Sequence, residues 1–233
     1  MDLSFGPLTL AASLLICSYL LSKAFTPPNP PPPKDRKWRN DSLMRHQTPT
    51  RRWIGLSILA LGWCYHPLII LFQPATPSLF CPHPENLDPR FFTWSPYTIS
   101  YILLIFVAAP IRLLAFAQLG QDFNFELTKP KALVKTGLYK YVRHPSYPAL
   151  FACQAGAGAL YLRVRGVMGC WLSNETATML ERWDVWVLVL LGVATFFLLR
   201  VRIKEEEEML RSAFGEEYEE YARRTRRFLP GIV

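Results

Sequence analysis

Five apolar runs with few charges dominate the chain, and most of them are long enough to cross a membrane. A bilayer core about 30 Å thick needs about 20 mostly apolar helical residues, because each residue rises about 1.5 Å. The runs cover residues 3–21, 53–72, 97–119, 147–162 with a weaker continuation to 172, and 185–199. Strand-like alternation is absent, and a helix satisfies its backbone groups within lipid. The sequence therefore predicts an all-α polytopic membrane helix bundle with about five transmembrane helices and a cytosolic C-terminal helical tail.

The first run also has some features of a signal peptide. Ser22-Lys23-Ala24 follows it and would pass as a small-x-small cleavage site. However, no Lys or Arg precedes the run, and it is long for a signal peptide. We therefore interpret it as a retained membrane span.

The basic residues predict the orientation of the spans. Eight Lys or Arg lie in loop 23–52, five in loop 120–146 and eight in the tail 200–233, whereas loop 73–96 has one. Because basic loops remain cytosolic, we expect a lumenal N-terminus and a cytosolic C-terminus. On this topology Arg112, in the third span, lies near the cytosolic end and could reach the headgroups by snorkelling.

The weakest part of this topology is loop 163–184, which is assigned to the lumen although it contains three arginines. The fourth run could instead form a short hairpin that does not fully cross. The sequon Asn174-Glu175-Thr176 lies in this loop, so glycosylation at Asn174 would indicate lumenal exposure.

Composition excludes several other classes of protein. A formal charge of +8 would suit a soluble nucleic-acid binder, but such a protein would not carry these long apolar runs. We therefore expect no nucleic-acid partner. The five cysteines have no CxxC spacing, so neither a zinc site nor a dense disulfide framework is expected. The proline-rich stretch 27–33 predicts a stiff spacer, with an SH3-type ligand as the alternative.

Two cytosolic segments, 131–148 and 200–221, have unusual composition. Taken singly, their Arg, His and Tyr residues could be headgroup anchors, and the run of four glutamates could be a solvated helix face. Arg202 and Glu206, however, are four residues apart and share a helix face where the fifth span ends. A cation and a carboxylate there suit a site that handles ions of both signs. The tail also carries an apolar stripe that could pack against the bundle and roof a pocket: Leu210, Phe214, Tyr218 and Tyr221.

Longer strings in these two segments resemble a known family. LVKTGLYKYVRHPSY at 133–147, RIKEEEEMLRSAFGEEYEEY at 202–221 and FLPG at 228–231 are similar to the isoprenylcysteine carboxyl methyltransferase family of integral membrane enzymes. The resemblance covers about residues 119–232. It implies S-adenosylmethionine as the methyl donor, the α-carboxylate of a prenylated cysteine as the acceptor, and residence in the endoplasmic reticulum membrane. It also divides the chain into transmembrane helices with a basic Pro-rich loop (1–118) and a catalytic region (119–233).

The resemblance also implies roles for individual residues. Arg202 corresponds to the arginine that binds the acceptor carboxylate. The residues that correspond to cofactor contacts are Lys131, Ala132, Leu133, Val134, Tyr139, His144, Pro145, Ser146, Tyr147 and Glu206. No metal is implied. The expected partners are prenylated CAAX-type proteins, or small prenylcysteine-like acceptors, and membrane lipid.

The sequence departs from the family at several places. Pro148-Ala149 follows Tyr147 where the family usually has a glycine two residues on, and Lys131 replaces a small polar residue or histidine. Segment 123–130 is short, and animal members have more spans. Two alternatives therefore stay open: methylation of another lipophilic acceptor, either a terpenoid carboxylate or a phospholipid amine, and a non-enzymatic membrane scaffold that uses the proline run and the acidic tail.

Overall fold

The structure is a computed structural model that describes residues 5–33, 37–39, 41–43, 48–72 and 77–228. Within these ranges the chain is helical and forms no strand, only isolated bridges such as the one between Lys37 and Thr128. This confirms the predicted all-α class. The helices are α1 (Phe5–Phe25), α2 (Pro49–Phe72), α3 (Pro96–Leu119), α4 (Ser146–Tyr161), α5 (Asn174–Phe214) and α6 (Glu216–Arg224).

Among the described residues, four helical segments are long and apolar enough to cross a membrane. They are Phe5–Phe25, Trp53–Phe72, Pro89–Leu119 and Asn174–Phe214. The fourth predicted span, α4, has only 16 residues and is about 24 Å long at 1.5 Å per residue, so it falls short on its own.

Helix α4 nevertheless lies alongside α3 over most of its own length. Near the C-terminal end of α3, Arg112 Nη1 donates to the carbonyl of Ser146, the first residue of α4 (3.0 Å). At the other end, the Tyr97 hydroxyl donates to the carbonyl of Ala159 (2.8 Å). The two helices are therefore antiparallel, and α4 returns the chain to the end of the bundle where α3 begins.

Small residues let α3 and α4 approach closely. A Cβ placed on Gly156 in α4 would lie 2.7 Å from Cγ1 of Ile105 in α3. Ile105 belongs to the main core, which α1, α2, α3 and α4 build together. Helix α5 packs against α4 but leaves most of its apolar surface exposed, as expected for a lipid-facing helix.

The loops at the end of the bundle opposite segments 131–148 and 200–221 are tied together. In the described chain, a disulfide joins Cys81 to Cys170. Arg163 Nε donates to Asp184 (2.8 Å), and Arg165 Nε donates to Glu181 (2.9 Å). These ion pairs give two of the three arginines in loop 163–184 an acidic partner on α5. The arginines therefore argue less strongly against the predicted lumenal position of this loop.

The proline-rich stretch is bound to its own chain. Asn29 Nδ2 donates to the carbonyls of Gly120 (2.8 Å) and Phe123 (2.7 Å). The predicted spacer is thus anchored along the segment after α3, and it brings the loop after α1 close to that segment.

The close α3–α4 contact predicts a stability difference between two glycine variants. We expect Gly156→Val to destabilise the protein by about 1–3 kcal/mol, because the larger side chain overlaps Ile105. Gly62→Val is the matched control, since no atom lies within 4 Å of a Cβ added at Gly62 in α2. Thermal unfolding in detergent measures both, and equal melting temperatures for the two variants would contradict the packing.

Candidate active site

Two cavities lie between the ends of α3 and α5 and the start of α4. The larger, about 510 Å³, extends between α2, α4 and α5, where its wall includes Leu59, Trp63, Leu150 and Leu198. Its volume is in the range of ordinary ligand pockets. The smaller, about 110 Å³, is lined partly by residues 126–128, Pro130 and residues 132–134, and by the last part of α5.

The two cavities adjoin at a shared polar boundary. Eight residues line both of them: Leu119, Phe123, Asn124, Tyr139, Arg143, Tyr147, Arg202 and Glu206. An apolar compartment that reaches between the spanning helices therefore meets a more polar compartment at these side chains. An amphipathic molecule could place its greasy part in the first and its polar end at the boundary.

Arg202 and Glu206 lie one turn apart on α5 and both reach this boundary, as their spacing predicts. Glu206 Oε2 accepts a hydrogen bond from the Tyr147 hydroxyl at 2.7 Å. The predicted carboxylate is thus hydrogen-bonded directly to the His-Pro-Ser-Tyr bend at the start of α4.

Arg202 is held by partners that the sequence did not indicate. Its Nη1 donates to Asp41 Oδ1 at 2.8 Å, and its Nη2 donates to the carbonyl of Phe125. The other carboxylate oxygen of Asp41 accepts from the backbone N–H of Leu127 at 2.8 Å. Asp41 lies in the predicted cytosolic loop after α1, far away in sequence, so no local pattern links it to Arg202.

The run of four glutamates separates into an inner and an outer pair. Glu205 accepts from the backbone N–H of Ser42 (3.2 Å), and Glu208 lies 4.0 Å from Lys204 on the outer side. Glu206 and Glu207 point inward. The interpretation of the four glutamates as a solvated helix face therefore applies only to the outer pair, Glu205 and Glu208.

Glu207 is the most deeply buried of the four, with its side chain 2% exposed. Arg227 makes two hydrogen bonds to it, from Nε to Oε1 (3.1 Å) and from Nη2 to Oε2 (2.9 Å). Because Arg227 follows α6, this ion pair fixes the end of the tail against α5.

His144 connects the two inner carboxylates. Its Nδ1 lies 3.5 Å from Glu206 Oε2, and its Nε2 lies 3.4 Å from Glu207 Oε1. Burial lowers the pKa of His144, but the carboxylates of Glu206 and Glu207 outweigh it, and the pKa is raised above its ordinary value. His144 thus supports the bend rather than presenting a free nitrogen to a ligand.

A glycine with positive φ begins the segment that carries Tyr139. Gly137 has φ 61°, and a Cβ there would lie 2.4 Å from the Gln118 side chain. Gln118 Oε1 instead accepts from the backbone N–H of Leu138 at 2.9 Å. This turn directs Tyr139 inward, where it is buried and borders both cavities.

The C-terminal tail closes over the smaller cavity. The chain reverses at Gly215 (φ 53°), and α6 then returns toward the bend. The Tyr221 hydroxyl donates to the carbonyl of Tyr139 (2.8 Å), and the backbone N–H of His144 donates to the carbonyl of Arg227 (2.9 Å). Leu210 and Tyr221 line the smaller cavity, so these two members of the predicted apolar stripe do roof a pocket.

The residues assigned to the cofactor by resemblance divide into three groups. Those that line the smaller cavity are Ala132, Leu133, Val134, Tyr139, Tyr147 and Glu206. His144 and Ser146 line the larger one. Lys131 is exposed and Pro145 is buried as the N-cap of α4, and both lie outside the two linings. Of the closing FLPG string, only Phe228 is among the described residues; Leu229, Pro230 and Gly231 lie outside them.

The expectation that Arg112 snorkels to the headgroups is wrong. Arg112 is 4% exposed and lines the larger cavity. Its Nε donates to the carbonyl of Ala24 (2.8 Å), so it is held inside the bundle. The sequence did contain a signal for this, because a charged residue within a span is more often functional than incidental.

Comparison with known proteins finds one family that matches part of the chain. Residues 101–183 match the sequence model of the isoprenylcysteine carboxyl methyltransferase family. The chain is also similar to protein-S-isoprenylcysteine O-methyltransferases of three organisms. Identity is 31% with the protein of Schizosaccharomyces pombe (60% of this chain, 52% of that protein), 24% with that of Dictyostelium discoideum (62% and 53%) and 30% with that of Homo sapiens (60% and 43%). The chain spans about half the length of these relatives.

The position of His144 between two carboxylates predicts a pH dependence of stability. Because the folded pKa is raised above the ordinary value of 6.5, the protonated ring stabilises the folded protein fully below pH 6.5, and this contribution is lost as the pH rises through the raised pKa. Thermal unfolding in detergent between pH 6 and 9 should therefore show a larger loss of stability for the wild type than for His144→Gln. His83→Gln, in an exposed loop, is the control and should follow the wild type. Parallel curves for the wild type and His144→Gln would refute the assignment.

Proposed function

We propose that the chain is an S-adenosylmethionine-dependent membrane methyltransferase, since residues 101–183 match the isoprenylcysteine carboxyl methyltransferase family and the chain is similar to protein-S-isoprenylcysteine O-methyltransferases. The acceptor is the C-terminal α-carboxylate of a prenylated cysteine, and the product is a methyl ester. The observation that carries this proposal is the meeting of an apolar and a polar cavity at Arg202 and Glu206.

The larger cavity suits the acceptor. Its wall between α2, α4 and α5 is made mostly of aliphatic and aromatic side chains, and each CH₂ group of a prenyl chain that leaves water there contributes about 0.8 kcal/mol. A carboxylate attached to that chain would lie at the polar boundary. Arg202 can bind it through charge-assisted hydrogen bonds.

The smaller cavity suits part of the methyl donor. S-adenosylmethionine, when bound, supplies a methyl group on a positively charged sulfur. Glu206 provides a carboxylate that opposes this charge, and Tyr139 and Tyr147 provide ring faces for a cation–π contact of about 0.5–2 kcal/mol. A cavity of about 110 Å³ is small for the whole donor, so the donor also needs part of the space lined by the shared residues.

The residues at the boundary match the chemistry of carboxylate methylation. A carboxylate is already ionised at pH 7, so the reaction needs no general base. His144, with each ring nitrogen facing a carboxylate, is accordingly not required to remove a proton. The charges of donor and acceptor cancel as the methyl group moves, which a water-poor site favours. The protein therefore contributes position and burial, and Arg202 and Glu206 orient the two charged groups.

The same proposal includes location and orientation. We place the chain in the endoplasmic reticulum membrane, with the N-terminus in the lumen and the C-terminus in the cytosol. The disulfide between Cys81 and Cys170 supports this, because disulfides persist in oxidising compartments such as the lumen. Prenylated CAAX-type proteins, or small prenylcysteine acceptors, would then reach the site from the cytosolic leaflet.

A methylation assay tests the reaction and the role of Arg202. Detergent-solubilised protein should transfer labelled methyl from S-adenosylmethionine to farnesylcysteine, and the label should be released by base, as expected of an ester. Arg202→Gln should raise the KM for this acceptor about tenfold or more, because a hydrogen bond to a charged group is lost. Arg200→Gln, an exposed position on the same helix, is the control.

The outcome separates the candidate acceptors. Base-stable label on phosphatidylethanolamine, with activity that survives Arg202→Ala, would instead indicate an amine acceptor, which a cation repels. Activity on terpenoid carboxylates but not on farnesylcysteine would keep the chemistry and change the acceptor. Absence of transfer to any acceptor by folded protein overturns the proposal.

Glycosylation at Asn174 tests the orientation. Asn174 is exposed and begins α5. In microsomes we expect an endoglycosidase-sensitive mass shift that Asn174→Gln abolishes. Modification of a sequon inserted in the tail after α6, with none at Asn174, would reverse the proposed orientation.

A further inference from the structure

Arg112 introduces an unbalanced positive charge into the larger cavity. We propose that Arg112, together with Arg202, binds the acceptor carboxylate and makes the site selective for the acid over its neutral methyl ester. This inference rests on the proposed function. It assigns to α3 a binding residue that the sequence had placed at the membrane surface.

The contacts of Arg112 involve neutral groups. Nε donates to the carbonyl of Ala24 (2.8 Å), and Nη1 donates to the carbonyl (3.0 Å) and hydroxyl (2.5 Å) oxygens of Ser146. The guanidinium carbon lies 4.6 Å from the centre of the Phe116 ring. Across the described part of the chain, no carboxylate lies within ion-pair distance of this side chain. A buried cation with only neutral partners is costly unless an anion approaches it.

The other two arginines at the boundary already have acidic partners. Arg202 Nη1 lies 2.8 Å from Asp41 Oδ1, and Arg143 Nη1 lies 3.9 Å from Glu207 Oε1. The ion pair of Arg202 and Asp41 has no net charge, so by itself it attracts a carboxylate weakly. Among the three arginines that line the larger cavity, Arg112 is the one that makes no ion pair within the described residues.

Arg112 and Arg202 both lie beside Phe125, one at its ring and the other at its backbone carbonyl. The guanidinium carbon of Arg112 lies 5.7 Å from the Phe125 ring centre, and Arg202 Nη2 donates to the Phe125 carbonyl. Both arginines line the same cavity. A carboxylate has two oxygens and about four lone-pair sites, so a single acceptor carboxylate can accept hydrogen bonds from both guanidinium groups.

This arrangement favours binding of the acid and release of the methyl ester product. Methylation converts the carboxylate into a neutral ester, which loses its charge-assisted hydrogen bonds. Arg112 is then again left with neutral partners. The acid and the ester carry the same prenyl chain, so their difference in affinity measures the contribution of the carboxylate end of the ligand.

Equilibrium binding without turnover tests the proposal. The ligands are farnesylcysteine and its methyl ester, and the signal is tryptophan fluorescence, to which Trp63 contributes from the lining of the larger cavity. The wild type should bind the acid more tightly than the ester. Arg112→Gln should weaken acid binding about tenfold and leave ester binding nearly unchanged. Arg200→Gln is the matched control and should retain the wild-type preference.

The ratio of the two affinities separates binding from structure. If Arg112 only ties α3 to α1 and α4, its replacement lowers the melting temperature and leaves the acid-to-ester ratio unchanged, which overturns the proposal. If Arg112→Gln does not fold, Arg112→Lys takes its place, because it keeps the positive charge but loses the planar two-nitrogen geometry of the guanidinium. A lower acid-to-ester ratio for Arg112→Lys than for the wild type supports the proposal, and an unchanged ratio overturns it.

Failure of this inference differs from failure of the proposed function. A protein that methylates farnesylcysteine but whose acid-to-ester ratio does not depend on Arg112 contradicts only the role of Arg112. A protein that binds neither ligand and transfers no methyl group contradicts the proposed function itself.

Discussion

The site depends on contacts between the end of α5 and the bend that precedes α4. Glu206 accepts from Tyr147, and His144 lies between Glu206 and Glu207, so two carboxylates of one helix hold the bend in place. Arg227 then completes the coordination of Glu207 from the tail. Without these contacts the tail would not cover the smaller cavity, and the boundary between the two cavities would open to water, where ion pairs are worth much less.

The charges at this boundary are distributed unevenly, and that distribution suits a reaction between two ions. The carboxylate of Glu206 lies at Tyr147, where a cation could be bound. Arg112 and Arg202 both lie beside Phe125, and Arg112 has only neutral hydrogen-bond acceptors. A low-dielectric pocket makes such differences stronger than they would be in water. The N-terminal half of the chain supplies Asp41, Trp63 and Arg112 to the site, so the helices before residue 119 contribute more than membrane anchoring.

Much of the architecture was accessible from local sequence patterns. Hydropathy indicated the long helices, and the i, i+4 spacing of Arg202 and Glu206 indicated that they share a face. The fourth span was harder to predict, because α4 is short and its apolar run continues into the loop that follows. The bond between Cys81 and Cys170 connects residues 89 positions apart, and no spacing rule pairs cysteines at that distance. Arg112 was misplaced because hydropathy does not tell which side of a span faces the bundle.

The sequence by itself determined the helical class, the approximate spans, the two chemically distinctive segments and the resemblance carried by them, because these follow from helix periodicity and from short motifs. Only the tertiary structure decided which glutamates of the run face inward, which acid pairs with Arg202 and which arginine enters the cavity without an acidic partner. The reason is physical: each of these outcomes depends on contacts between residues that are distant along the chain, and a helix in lipid can turn its polar side chains inward or outward without any change in its local pattern.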